Sequence, residues 1–354
     1  MKPSHTPLWI HRFAVATVLA VLGLIGIGGL VTSKGAGMAV PDWPTTYGYN
    51  MFLFPISQWQ GGIFYEHSHR LVASVVGLLT VVLAVALWMG DSRRWVRWFG
   101  LGAVLLVVMQ GLLGGLRVTL YKDQIGIIHA ALAQIFLCSV VGISIVTSRW
   151  WHRFEFSVSE SRAAVALRPW FIVTTIAIFV QLLLGATMRH EHAGLAIPDF
   201  PLAYGKVWPA TDTATVEKIN EARVDQRDFK PITSTHILVH MAHRAGAVIV
   251  LGAVAACWWL TRRSTAVARF GRVWPNVWLG GVVMQALLGA VTIWSNKAAD
   301  IATLHVILGA CLLGLGAAQC LAWSRMFCPF AASVEKGETP KVVKSVIETR
   351  VVAA

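Results

Sequence analysis

The chain has 354 residues, 56% of them hydrophobic and only 13% charged, with 30 Lys and Arg against 17 Asp and Glu for a net charge of +13. A soluble domain carries about 25% charged residues, so the composition excludes an ordinary water-soluble fold. The basic residues sit in separated loop clusters rather than on one stripe, which excludes nucleic acid as the partner.

Apolar blocks of about 20 residues match the hydrocarbon thickness of a bilayer. Eight occur, at 13–32, 67–89, 98–117, 126–147, 169–188, 236–260, 274–294 and 302–323. Backbone groups in lipid must find partners within their own segment, so these blocks predict an all-α integral membrane protein with eight transmembrane helices. The first block follows a short basic stretch but is too long for the apolar core of a cleaved signal, and it has a counterpart later in the chain. It reads as helix 1. With no long Arg/Ser-rich presequence, a bacterial inner (cytoplasmic) membrane is the expected location.

Arg93, Arg94 and Arg97 follow helix 2, Arg149, Arg153, Arg162 and Arg168 follow helix 4, and Arg262, Arg263, Arg269 and Arg272 follow helix 6. With the basic residues near both termini, that side holds 18 and the other ten. The positive-inside rule places both termini in the cytoplasm, and the excess suits contact with anionic lipid. The five cysteines, Cys138, Cys257, Cys311, Cys320 and Cys328, lie in or just beyond helices with no CxxC or zinc spacing, and read as small core residues.

The chain also repeats itself. Pro41-Asp42-Trp43-Pro44 recurs 157 positions on as Pro198-Asp199-Phe200-Pro201. His69-Arg70 recurs after 174 positions as His243-Arg244, Val107-Val108-Met109-Gln110 after 175 as Val282-Val283-Met284-Gln285, and His129 after 176 as His305. The second outer loop is therefore longer by 17 residues. Two parallel four-helix repeats follow: residues 1–148 and 169–325, joined by a cytoplasmic linker over 149–168 and trailed by a polar, disordered tail over 326–354.

The repeat singles out His69, His129, His243 and His305. A polar ring at membrane depth needs a partner and is usually functional. The boundaries put these histidines about three, four, eight and four residues into helices 2, 4, 6 and 8. Ligands on facing helices of a bundle core suit bis-imidazole haem ligation. Satisfied core histidines are the bland alternative, but matching pairs in both halves count against it. Zinc is poorly served by two histidines without thiolate or carboxylate company.

Glu66 precedes His69 by three residues, while His240 stands at the aligned position before His243. The carboxylate could move protons beside a bound group, or simply complement a helix N-terminus. The asymmetry assigns chemistry to the first half and a fixed cofactor to the second. Arg70 and Arg244 are candidate partners for haem propionates, or snorkelling residues. His236 and His240 share a face with His243 and read as supporting or loop-end residues. Gln110 and Gln285 read as interhelical hydrogen-bond donors, and the Pro-Asp-aromatic-Pro segments as outer turns capping the pockets.

The Glu-x-x-His-Arg string opening helix 2, the Gly28–Gly48 stretch with its Pro-Asp-Trp-Pro turn, the later His240-Met241-Ala242-His243-Arg244, and the histidines of helices 4 and 8 together resemble the haem A synthase family over roughly residues 10–325. The resemblance implies an oxidoreductase that converts haem O to haem A, turning the C8 methyl into a formyl group by successive hydroxylation and loss of water. It implies that His69 and His129 flank the substrate haem, that Glu66 is catalytic, and that His243 and His305 hold the iron of a haem b. The implied partners are haem O synthase as supplier, an unidentified electron donor and the cytochrome oxidase assembly machinery; a homo-oligomer stays open. No cysteine pair stands in the first outer loop, so the chain resembles the mitochondrial and proteobacterial branch. A di-haem cytochrome b, using the same histidines for electron transfer alone, is the alternative. A repeat transporter would want broken helices and midplane charges, which the sequence does not display.

Overall fold

The computed structural model describes residues 6–153, 158–222, 231–265 and 269–335. Its helices run α1 (Leu8–Ser33), α2 (Gly61–Gly90), α3 (Arg94–Thr119), α4 (Asp123–Val146), α5 (Arg149–Arg153), α6 (Val158–His190), α7 (Thr213–Glu221), α8 (Ser234–Arg263), α9 (Arg269–Trp294) and α10 (Ala299–Glu335). Eight of them, all but the short α5 and α7, are long and apolar enough to cross a membrane. Large apolar side chains such as Leu19, Leu78, Leu105, Val173 and Val248 face outward from them. Such faces suit lipid rather than water. The chain is a multi-pass membrane protein.

Packing is cyclic in each half. Helix α1 packs on α2, α2 on α3, α3 on α4 and α4 on α1, while α6 packs on α8, α8 on α9, α9 on α10 and α10 on α6. The halves meet where α1 and α4 lie against α10 and where α4 lies against α6. The first core gathers Ile10, Val21, Leu83, Leu87, Phe136, Leu137 and Ile143. The second is built on Phe171 and Trp278, stacked with centroids 5.8 Å apart. Trp278 is fully buried because its indole N–H finds the Leu312 carbonyl at 3.0 Å.

The helices outrun their apolar blocks. Helix α2 begins six residues early, at Gly61. Helix α6 begins at Val158 and takes in Pro169, so most of the stretch expected as a linker is helical. Helix α10 continues through the expected boundary at 325 to Glu335. Hydropathy marks the part of a helix that meets lipid; the backbone stays hydrogen-bonded through headgroup depth, where polar residues are tolerated. The tail expected to be disordered lies, from 336, outside the described residues.

The longer second loop has its own small core of Ala193, Ile197, Val216, Ile232 and Met241. Asp212 caps α7, accepting from the Thr215 N–H at 3.0 Å. Asn220 ties that helix to the next segment through both N–H and carbonyl of Ile232.

Candidate haem-binding sites

Two loop turns stand over the bundle on the side away from the termini, and their hydrogen bonds are alike. Asp42 accepts from the backbone N–H of Tyr47 at 2.8 Å and Gly48 at 2.9 Å, and Asp199 from Tyr204 at 2.7 Å and Gly205 at 2.8 Å. Tyr47 and Tyr204, and the glycines after them, adopt positive φ. Each aspartate satisfies the two tip donors that the turn's own β-bridge, Thr46–Tyr49 or Ala203–Lys206, leaves unpaired. The tyrosine hydroxyls then donate to the Ala39 and Ala196 carbonyls. Burial alone would raise the Asp42 and Asp199 carboxyls, but these N–H groups, with the Thr45 hydroxyl at Asp42, hold both below the ordinary carboxylate range.

Arginines anchor these turns to the helices. Arg70 donates from Nη1 to the Asp42 carbonyl at 2.7 Å and the Thr45 carbonyl at 3.0 Å, and from Nη2 to the Val40 carbonyl at 2.8 Å. Arg244 donates to the Leu202 carbonyl at 2.8 Å and the Asp199 carbonyl at 2.6 Å. The two residues read as partners for haem acids thus have their Nη atoms committed to the loops. Both sit one position after a candidate ligand, so the same contacts fix where His69 and His243 stand.

Glu66 is the sixth residue of α2 and only 4% exposed. Its Oε2 accepts from the Val40 N–H and its Oε1 from Arg70 Nη2, both at 2.8 Å. The carboxylate is turned to the loop and makes no hydrogen bond to His69 among the described residues. His240, aligned with it, is equally buried and faces Ala193, its Nδ1 without a partner. His67 is sealed under the first loop by Phe54 and Trp59. His236 is a helix cap, bonded reciprocally with Thr233 at the start of α8.

The four candidate ligands come together in pairs. His69 and His129 lie within coulombic reach of each other, as do His243 and His305. They are the ninth, seventh, tenth and seventh residues of α2, α4, α8 and α10, deeper than the apolar blocks suggested. At about 1.5 Å per residue, each is some 10–15 Å from its helix start.

Each ring also rests on a glycine of a neighbouring helix. A methyl built on Gly28 would lie 3.0 Å from Cε1 of His69, and one on Gly114 3.4 Å from that of His129. On Gly185 it would lie 3.1 Å from Cε1 of His243, and on Gly289 3.3 Å from that of His305. The sequence reading missed these glycines. Their only signal is that Gly28 and Gly185 stand 157 apart, and Gly114 and Gly289 175 apart, the same offsets as the repeat. Gln110 and Gln285 donate to the backbone carbonyls of His129 and His305 at 3.0 and 2.9 Å. The Gln181 amide donates to the His243 carbonyl at 2.8 Å and lies 3.1 Å from its Nδ1.

Nδ1 of His69, His129 and His305 is buried with no hydrogen-bond partner among the described residues. Unpaired buried ring nitrogens are costly unless something else engages them. Among the described residues no group of three or more His, Cys, Asp or Glu could hold a bare ion. Paired imidazoles in an apolar bundle, each cradled by glycine, fit the axial positions of a haem.

Fold and site therefore define a membrane-embedded, all-helical protein with two paired-histidine centres. The chain belongs to the COX15-CtaA family of cytochrome oxidase assembly proteins, whose model matches residues 11–316. It is 26% identical over 322 residues to a haem A synthase of Geobacillus kaustophilus, covering 86% of this chain and 88% of the relative. It is 30% identical over 214 residues to a haem A synthase of Shouchella clausii, covering 58% and 68%. A third, from Bacillus cereus strain AH187, is 24% identical over 316 residues, covering 87% and 91%.

Proposed function

We propose that this chain is a haem A synthase, an oxidoreductase that turns the C8 methyl of haem O into the formyl group of haem A for cytochrome oxidase. The reading is carried by two glycine-cradled histidine pairs, with three unpartnered Nδ1 atoms, in a chain of this family. His69 and His129 flank the substrate haem in the first half. His243 and His305 hold haem b in the second, and that group supplies one-electron redox chemistry when bound. Around it the protein fixes ring orientation through Gly185, Gly289, Gln181 and Gln285, as outer residues commonly do for ligating histidines. Glu66, held on α2 by Arg70 and the Val40 N–H, is the group that takes or returns a proton at the substrate edge. Its two oxygens keep lone pairs beyond the two bonds they accept.

Pigment extraction and chromatography test this activity. Haem A, or hydroxylated haem O, should accumulate in cells that make haem O and express the chain. Unmodified haem O beside protohaem would instead indicate a two-haem cytochrome for electron transfer.

The halves act as parallel repeats in a bacterial inner membrane, with both termini cytoplasmic. The basic bias of the loops supports this orientation. Reporter fusions after residue 325 should be active only in a cytoplasmic format, and a periplasmic signal there would reverse the assignment.

The glycine cradles give a further expectation. Gly289→Val should push the His305 ring aside and cost the second half most of its haem absorbance. Gly280→Val, on the same helix with nothing within 4 Å of an added Cβ, should leave it intact. Equal spectra of the two purified variants would remove Gly289 from the site.

A further inference from the structure

Haem carries two acidic side chains, and a carboxylate brought into a bundle needs a cation or several donors. Arg70 has all four Nη–H groups taken by loop carbonyls and Glu66, and each Nη of Arg244 donates once to a loop carbonyl. Two other arginines are placed differently.

Arg117 lies in the last turn of α3. Gln110, Gly114 and Arg117 share one face of that helix by spacing, and the first two touch His129. The guanidinium lies against Gly37, where a methyl would meet Nη2 at 2.9 Å and Nη1 at 3.0 Å. Its Nε is buried without a partner, and its one ion pair, to Asp123, is long at 3.4 Å. Arg117 lies within coulombic reach of both His69 and His129.

Arg189 lies near the end of α6, four residues beyond the glycine that cradles His243. It donates from Nη2 to the Gly29 carbonyl at 2.7 Å and to Ser33 Oγ at 3.0 Å. No carboxylate among the described residues pairs with it. It stands within coulombic reach of His305.

The two positions are swapped between the halves. Arg117 aligns with Thr292 at the 175-residue offset, and Arg189 with Thr32 at the 157-residue offset. Both threonine hydroxyls are spent on their own helices, bonding the Leu288 and Gly28 carbonyls. Each half therefore has one such arginine, on its third spanning helix in the first half and its first spanning helix in the second.

We propose that Arg117 binds a propionate carboxylate of the haem in the first half and Arg189 one of the haem in the second. This rests on the haem reading above. Each half would then offer its haem acid a guanidinium from a different helix of the repeat, α3 in the first and α6 in the second. The guanidinium forks supply the geometry, since planar donors match carboxylates bidentately.

Titration of the full chain, purified in detergent from haem-limited cells, tests the assignment with iron protoporphyrin IX and its dimethyl ester. Soret absorbance is the readout. The His69→Ala/His129→Ala background isolates the second site, and His243→Ala/His305→Ala the first. In the first of these, Arg189→Gln should weaken protohaem binding about tenfold or more and leave the ester unchanged; Arg117→Gln should do the same in the other. Arg→Lys at either position should retain part of the preference for the free acid. Equal weakening for acid and ester, or no weakening, or an effect confined to the opposite site, overturns the proposal. If a glutamine variant does not accumulate, the histidine backgrounds decide without it: each remaining site should bind protohaem about tenfold tighter than the ester, and parity overturns the claim. Failure of the unmutated chain to bind protohaem at all would instead overturn the haem reading.

Discussion

Purified His243→Ala and His305→Ala proteins should each lose the low-spin bis-histidine spectrum of the second half. The imidazole–iron bond is the largest single interaction such a site offers, and a methyl group replaces neither the bond nor the ring volume. The two variants should differ in their remains. His243 is held at its carbonyl by Gln181 and its Nδ1 lies 3.1 Å from that amide, whereas Nδ1 of His305 has no partner. The Gln181 amide, held by its bond to the His243 carbonyl, keeps that ring in place when the partner ligand is gone. His243, the better supported ring, should therefore retain more five-coordinate haem in His305→Ala than His305 retains in the converse variant. An unchanged α-band in both variants would end the assignment of haem b to these residues.

Glu66→Ala should reduce haem A production by at least about tenfold, because general acid–base groups commonly supply 10²–10⁴ in rate. The haem of the second half should stay bound, and haem O, in part hydroxylated, should build up. The alanine change also removes the acceptor of the Val40 N–H and one partner of Arg70, so the loop over the first site loses a fastening. Glu66→Gln separates the two effects, since its amide oxygen can still accept one of those bonds while its charge and proton affinity are gone. A proton-transfer role predicts that Gln is as inactive as Ala although the loop keeps its protection from proteolysis. Full activity in the glutamine variant would reduce Glu66 to a clasp for residues 40–45.

The eight spans were legible because hydropathy reports contact with lipid, and each apolar block falls on one helix to within a residue. Helix ends were not legible: α2, α6 and α10 continue through polar residues, and α2, α4, α8 and α10 each start before their apolar blocks, so the ligands stand further from their helix starts than the blocks implied. The four histidines and Glu66 stood out in sequence by type and by repetition. The glycines beside them did not, because glycine is common in membrane helices and its meaning here lies in a ring from another helix. Arg70 and Arg244 were read as partners for haem acids or as snorkelling residues; the contacts they make, to loop carbonyls 25–45 residues away in sequence, had no signal in the spacing. His240 was read as a counterpart of Glu66, and the structure turns both toward their own loops.

The two paired-histidine centres bear on how long the protein survives in a cell. A ligand that binds only the native bundle stabilises it by RT ln(1 + [L]/Kd). With the haem b proposed for it, the second half would draw that stabilisation continuously, whereas the first would gain it only while substrate is seated. When tetrapyrrole runs short, the first half is the one that loses this term and opens locally more often. Turnover of the chain by membrane proteases would then track the supply of haem O, so abundance of the enzyme would follow demand with no dedicated regulator.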